Sequence, residues 1–269
     1  MIGQNILQAD IKNLVDREKY PRFSIFVGQI GSGRKTIARE IAELLGVQVI
    51  VQLPDVKVDT VRSMITDAYK IPYKYLYIIP DAENMSLASK NAILKVTEEP
   101  PNNAYFIMTV QDESQLLDTI KSRGMIFHMN SYTPEEIAEY ADCKDTRELE
   151  IITSICEVPG DVSILRSMDI DKFYAYTESV VDNIAETSGS NSFKIGAKIN
   201  FKDDADKYDL RLFWRTFMLI CLGRMKEDAL KYADGVKITS QHLQELKVTG
   251  INKQSLFDMW VLSIREAWM

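Results

Sequence analysis

Paired cysteines are missing from this 269-residue chain: Cys143, Cys156 and Cys221 are odd in number, widely scattered and without a C-x-x-C spacing. A disulfide framework and a cysteine zinc site are therefore excluded, and a reducing compartment is expected. An excess of positive charge is missing as well, since 32 Lys and Arg face 39 Asp and Glu for a net charge of −7. Such a chain is not built mainly to grip nucleic acid, although a local basic patch or a place in a larger DNA-bound assembly stays open. No apolar segment approaches the ~20 residues that span a bilayer. The first ten residues carry neither a basic n-region nor an apolar core, so a cytoplasmic protein with no membrane partner is expected. Histidine is scarce, and His128 and His242 have no catalytic partner in the sequence around them, so both are expected to be structural. What is present is ordinary for a folded protein: 46% apolar residues, in a length sufficient for one large or two to three small domains.

The apolar residues fall into short runs alternating with helical patterns. Phe23–Val27 reads as a buried strand, followed by Ile37, Ala38, Ile41, Ala42 and Leu45 at helical spacing, with Gly46 closing that helix. Val47–Leu53 reads as a second strand, Leu76–Ile79 as a third and Tyr105–Thr109 as a fourth. Helices are expected around Val61–Ala68 and over Leu87–Glu98. This alternation predicts an α/β domain with a mostly parallel sheet and a ligand crevice at the C-terminal ends of its strands. After residue 130 the pattern turns helical, beginning at Thr133-Pro134-Glu135-Glu136, a Thr cap with Pro in the first turn and Glu three residues on. No strand is expected beyond that point. The expected division is an α/β domain over 1–131, a small helical domain over 132–185, a polar linker over 186–207 and a helical C-terminal domain over 208–269. Phe213, Trp214 and Phe217, and likewise Leu256, Trp260, Ile264 and Ala267, share helix faces and are expected to pack as core.

Chemistry is concentrated in Gly28-Gln-Ile-Gly31-Ser-Gly33-Arg34-Lys35-Thr36. The phosphate-binding pattern G-x-x-x-x-G-K-[ST] uses backbone N–H groups and a helix N-terminus to cradle phosphates, its Lys to reach the β/γ oxygens and its hydroxyl to hold Mg²⁺. Here the glycines fall correctly at Gly28, Gly31 and Gly33, but Arg34 takes the Lys slot, Lys35 the hydroxyl slot, and Thr36 arrives one position late. Two readings follow: a glycine turn that no longer holds phosphate, or a slipped loop working through Lys35 and Thr36. ATP hydrolysis would also need an acidic pair at a strand end. That segment reads Ile79-Pro80-Asp81-Ala82-Glu83, with proline in the first acidic position. Asp81 and Glu83 are therefore expected to be a solvated strand end rather than a metal site. Thr109, at the end of the fourth strand, reads equally as a sheet residue or a phosphate sensor.

Asn91-Ala-Ile-Leu-Lys95-Val-Thr-Glu98-Glu99-Pro100-Pro101 resembles the N-A-L-L-K-x-x-E-E-P-P signature of bacterial DNA polymerase III clamp-loader subunits, AAA+ proteins. Ser122-Arg123-Gly124 is similar to their S-R-C motif, Ile2-Gly3-Gln4 to their I-G-Q, and Val58-Asp59-Thr60-Val61-Arg62 to their I-D-x-I-R, all in the family's order. Within the family the chain looks most like the delta-prime subunit. Glu157-Val-Pro-Gly160-Asp-Val162 stands where the active subunit has G-S-L-R-D-A, so Gly160 replaces a phosphate-sensing Arg. The family's four-cysteine zinc module is missing, which marks a divergent member.

The resemblance implies a P-loop NTPase-like domain, a helical lid over 132–185 and a collar over 208–269 that builds the oligomer. It implies a subunit that does not hydrolyse ATP by itself and offers Arg123, with Ser122 shaping its loop, as an arginine finger in trans to a neighbour's site. The degenerate nucleotide site would comprise Gly28, Gly31, Gly33, Arg34, Lys35, Thr36, Asp81 and Thr109, with no metal of its own and ATP with Mg²⁺ as the doubtful cofactor. Implied partners are gamma/tau-like and delta-like subunits, the sliding clamp and, through the complex, primer–template DNA. The rival expectations are an ATP-hydrolysing motor subunit and an AAA+-like adaptor outside replication.

Overall fold

The computed structural model describes residues 3–185, 195–201, 207–246 and 250–269. The chain divides into two compact units, one of Met1–Tyr140 with Val158–Gly160 and one of Ala141–Glu157 with Asp161–Met269. The boundaries expected at 131 and 208 do not coincide with this division. Most of the expected linker, 186–194 and 202–206, lies outside the described residues.

The first unit is built on five parallel strands: β1 (Phe23–Val27), β2 (Val49–Gln52), β3 (Tyr75–Ile79), β4 (Ala104–Val110) and β5 (Met125–His128). Their order is β2-β3-β4-β1-β5. Strands buried on both faces need continuous apolar runs, and β1, β3 and β4 are buried at every position. Successive side chains alternate between faces. On one face Ile25, Val27, Tyr75, Tyr77, Ile79, Phe106 and Met108 pack with helices α3 (Val58–Ala68) and α4 (Leu87–Glu98) through Val61, Met64, Ile93 and Val96. On the other, Phe26, Leu76, Ile78, Tyr105, Ile107 and Phe127 pack with α1 (Asn5–Asp16) and α2 (Arg34–Leu44) through Leu7, Ile11, Ile37, Ala38 and Ile41. The chain leaves β1, runs through α2 to the far edge at β2, and returns inward. That reversal opens a crevice at the C-terminal end of β1, where ligands bind in such sheets. A short helix α5 (Asp118–Lys121) precedes β5, and α6 (Pro134–Ala141) follows it. Thr133 and Glu136 form a reciprocal capping box at its start, with N···O separations of 2.9 and 3.3 Å.

The second unit is mostly helical: α7 (Thr146–Ile155), α8 (Pro159–Arg166, entering this unit at Asp161), α9 (Ile170–Asn183), α10 (Leu210–Gly223), α11 (Ala229–Glu245) and α12 (Lys253–Trp268). Phe213, Trp214, Phe217, Leu256, Trp260 and Ile264 are buried together as expected, whereas Ala267 faces solvent. His242 is buried against Trp214, with Nδ1 2.9 Å from the Ile238 carbonyl. Arg215 lies across the unit's interior, donating to Asp161 at 2.7 Å and Glu157 at 2.6 Å.

Two expectations need correction. A fifth strand, β5, follows residue 124, and a two-residue pair, β6 (Ile199–Asn200) with β7 (Tyr208–Asp209), lies in the region expected to have none. No helix among the described residues is long and apolar enough to cross a membrane.

Candidate functional site

The glycine loop leaves β1 at Val27, and the Gly28 N–H donates to the Val110 carbonyl of β4 at 3.1 Å. Gly31 has φ +86° and Gly33 φ +90°, a left-handed backbone that costs residues with a Cβ about 1–2 kcal/mol. Gly33 is the N-cap of α2 and brings no capping side chain. The first amides of α2 are thus left to other partners, and the helix dipole adds a positive field at the loop.

Arg34 and Lys35 open α2 side by side, yet they end in different places. Arg34 is buried, whereas Lys35 is about two-fifths exposed. Both turn to Asp81: Arg34 Nη2 lies 3.4 Å from Oδ1 and Lys35 Nζ 3.4 Å from Oδ2. Burial pushes the Arg34 guanidinium below its ordinary pKa, and the charges of Asp81 and Glu83 oppose that shift. Thr36 is exposed on the first turn of α2.

Asp81 follows Pro80 at the end of β3 with φ 48° and ψ 52°, left-handed without being glycine. Its N–H donates to Thr109 Oγ1 at 3.1 Å, and Thr109 is fully buried in β4. Thr109 thereby fixes the turn that aims Asp81 at the two cations. The expectation here is a solvated strand end; Asp81 is half-buried between two cations, and Glu83 is buried. Glu83 accepts from Gln111 Nε2 at 2.7 Å. Both Asp81 oxygens face cations, and proline stands in the first acidic position. Among the described residues no cluster of three or more His, Cys, Asp or Glu could hold a metal ion.

Gly160 also meets the loop. Its N–H donates to the Gly31 carbonyl at 3.0 Å, and a Cβ at 160 would lie 2.4 Å from Gly31 Cα. An arginine at this position could not share the space with the loop as it stands. Around these contacts lies a cavity of about 670 Å³, lined by the loop, Asp81, Tyr132, Tyr140, Pro159 and Gly160. The Tyr132 hydroxyl donates to the Ser32 carbonyl at 2.8 Å and ties the loop to the segment after β5. Removing that hydroxyl in Tyr132→Phe is expected to cost about 1 kcal/mol, read as a lower midpoint in chemical denaturation.

Gln111, Tyr132 and Gln4 have functions in this site that sequence reasoning did not assign. Gln4 Nε2 donates to the Asn130 carbonyl and its Oε1 accepts from the Asn130 N–H, both at 2.7 Å. The I-G-Q segment is thereby tied to the chain leaving β5. The spacing of that motif marked Gln4, but nothing in the sequence pointed to Gln111 or Tyr132.

Arg123 sits apart from all of this. It lies between α5 and the start of β5, and β5 runs parallel to β1 with Ser24 opposite Met125 and Val27 opposite His128. Arg123 is thus at the N-terminal end of the strands and the glycine loop at the C-terminal end. The length of β1 separates them, roughly 16 Å at about 3.3 Å per residue. Arg123 Nη1 donates to the Thr119 carbonyl at 2.6 Å, and Nη2 lies 3.4 Å from Glu98 Oε1 at the end of α4. Ser122 is exposed and donates to the same carbonyl at 3.2 Å.

A family model described as DNA polymerase III, delta subunit, matches residues 47–133. That span contains the Val58–Arg62, Asn91–Pro101 and Ser122–Gly124 segments. The DNA polymerase III subunit gamma of Buchnera aphidicola (subsp. Schizaphis graminum) is 28% identical over 169 residues, which cover 52% of this chain and 47% of the relative. Subunit tau of Escherichia coli is 25% identical over 51% of this chain and 26% of its own length. Subunit delta' of Haemophilus influenzae is 36% identical over 107 residues, 38% of this chain and 32% of the relative. The chain spans less than half the length of each of these relatives. Among solved structures, a DNA polymerase III gamma subunit-related protein of Thermotoga maritima aligns over 97% of this chain and 99% of its own, with TM-score 0.59 and 15% identity. A mutant RuvB of the same organism aligns over 84% of this chain and 77% of its own, with TM-score 0.51 and 19% identity. These structures share the P-loop NTPase-like architecture of a parallel sheet followed by helices. The matched region carries three of the motifs in order, and the relatives this chain is similar to are gamma, tau and delta' subunits of DNA polymerase III.

Proposed function

We propose that this chain is a delta-prime-like clamp-loader subunit that does not hydrolyse ATP itself and completes the ATP site of a neighbouring subunit with Arg123. The observation that carries the proposal is the position of Arg123 at the opposite end of the sheet from its own glycine loop. A guanidinium so placed cannot serve the loop of its own chain, but it is available to a partner docking against α4, α5 and the start of β5. The state of the loop supports the same reading. Arg34 and Lys35 are engaged by Asp81, Pro80 cannot ligate a metal, and Gly160 occupies the place of the phosphate-sensing Arg.

On this reading the family's other subunits are the partners, with residues 132–185 as the lid and 208–269 contributing to the oligomer collar. The assembly would act on a sliding clamp and primer–template DNA. A gamma/tau-like motor is the second reading. It is favoured by the number of relatives named gamma or tau. Reconstitution with gamma/tau-like and delta-like subunits tests the proposal. ATPase activity should rise when this chain is added, while the lone chain shows no turnover with ATP and Mg²⁺. Turnover by the lone chain would establish the motor reading, and an assembly indifferent to the chain would leave an adaptor outside replication.

A further inference from the structure

Two tyrosines face solvent at the N-terminal end of the sheet, the end that carries Arg123. Tyr69 closes α3 and Tyr73 lies four residues on, just before β3. They are 53% and 43% exposed, although a tyrosine ring is a large apolar surface. Both are held in place. The Tyr69 hydroxyl donates to the Glu99 carbonyl at 3.2 Å, and Asn103 Nδ2 donates to the carbonyls of Ile71 and, at 3.2 Å, of Tyr73. An aromatic side chain with only two torsions, already anchored, loses little freedom when a partner covers it. Tyrosine and arginine are also among the residue types enriched where binding energy concentrates.

The tyrosines are continuous with the surface around Arg123. Tyr69 meets Glu99, Glu99 follows Glu98, and Glu98 Oε1 lies 3.4 Å from Arg123 Nη2. That path is at most about 18 Å long at ordinary residue dimensions, and a specific interface of about 800 Å² per partner is about 30 Å across. A subunit that receives Arg123 over an interface of that size reaches the tyrosines as well. Glu98 and Glu99 are exposed between them and the arginine, so the surface that fits here is apolar with basic side chains beside it.

We infer that Tyr69 and Tyr73 form a docking shelf for the gamma/tau-like subunit whose ATP site Arg123 completes. The tyrosines supply the affinity of the contact and the arginine its chemistry. The inference rests on the proposed trans role of Arg123 and adds the surface by which the neighbour is held.

Sedimentation of the whole chain with a gamma/tau-like subunit, in the absence of ATP, reads this contact without turnover. Tyr69→Ala should weaken binding about tenfold or more. Tyr73→Ala should weaken it too, at a loop position where no helix end is disturbed. Tyr69→Phe keeps the ring and should stay within about threefold of the parent. Ile6→Ser alters a residue of α1, on the other face of the sheet, that is 74% exposed, and should bind as the parent does. In the reconstituted assembly, raising the concentration of the Tyr69→Ala chain should restore ATPase activity, whereas no concentration of the Arg123→Ala chain does. A parent chain that fails to bind removes the proposed function and the shelf with it. If the parent binds, equal binding by Tyr69→Ala and Tyr73→Ala overturns the shelf alone and leaves the role of Arg123 standing. A loss in Tyr69→Phe as large as in Tyr69→Ala, or an equal loss in Ile6→Ser, overturns it as well.

Discussion

On the proposed trans role, Arg123→Ala is expected to slow ATP hydrolysis about 10³-fold at the interface that Arg123 would complete, with the neighbours' other sites unchanged. Charge develops on the γ-phosphate oxygens as the bond to the leaving group loosens. A guanidinium delivered from a second subunit meets that charge with two directed donors in a site from which water is excluded. Arg123 is suitably held for this. Its Nη1 is anchored on the Thr119 carbonyl, while Nη2 rests 3.4 Å from Glu98, an exposed carboxylate it can exchange for a stronger anion. Arg123→Lys should recover little, because an ammonium on a flexible stem lacks the planar pair of donors. Misfolding is not an adequate alternative explanation. The ion pair with Glu98 joins a mostly covered Arg123 to an exposed carboxylate at 3.4 Å, so losing it should cost about 1 kcal/mol, and a thermal melt of the variant checks this. Single-turnover measurement on the reconstituted assembly isolates the affected site. An assembly that hydrolyses ATP equally fast with Arg123→Ala would remove the proposed role.

The parts of this fold that could be read from the sequence are those where local pattern and tertiary burial coincide. β1, β3 and β4 are buried on both faces, so their sequences are unbroken apolar runs, and α4 begins at Ser86, whose hydroxyl caps the Ser89 N–H. β5 was invisible for the opposite reason. It is four residues long at the sheet edge, with only Phe127 buried, and so has no run to detect. α1 likewise lacks a recognisable cap, since Gln4 enters it in a left-handed conformation without a side-chain bond. In the site, glycine spacing and the displaced Lys35 were legible because they are matters of adjacency. The fate of the two cations was not, because it depends on Asp81, 46 residues beyond Lys35. A left-handed aspartate leaves no mark in sequence. Glu83 with Gln111, and Tyr132 with Ser32, are pairings that only the sheet brings about. Arg123 is an intermediate case: its motif was readable, but its position at the far end of the sheet follows only from the pairing of β5 with β1.

Gly160→Ala is expected to lower stability by about 3 kcal/mol, the upper end of what forcing one carbon into a packed site costs. The reason is what lies opposite. The new Cβ would sit 2.4 Å from Gly31 Cα and 3.1 Å from the Gly31 carbonyl oxygen. Both are backbone atoms of a loop anchored by the Gly28–Val110 and Tyr132–Ser32 hydrogen bonds. A flexible side chain could swing away, whereas this loop can yield only by giving up those bonds or the bond from the Gly160 N–H to Gly31. Gly223→Ala provides the control. It ends a helix, a Cβ there meets nothing within 4 Å, and the change should be neutral or mildly stabilising. The shift in denaturation midpoint measures the global cost. Faster amide exchange at Ser32–Lys35 would localise the damage to the loop even if the rest of the chain stays folded. A Gly160→Ala protein as stable and as protected as the parent would show that the loop and residue 160 are not in contact in solution. If the penalty is found, the glycine at this position acquires a steric cause: residue 160 must be glycine because the backbone of the glycine loop already fills the space a side chain would need.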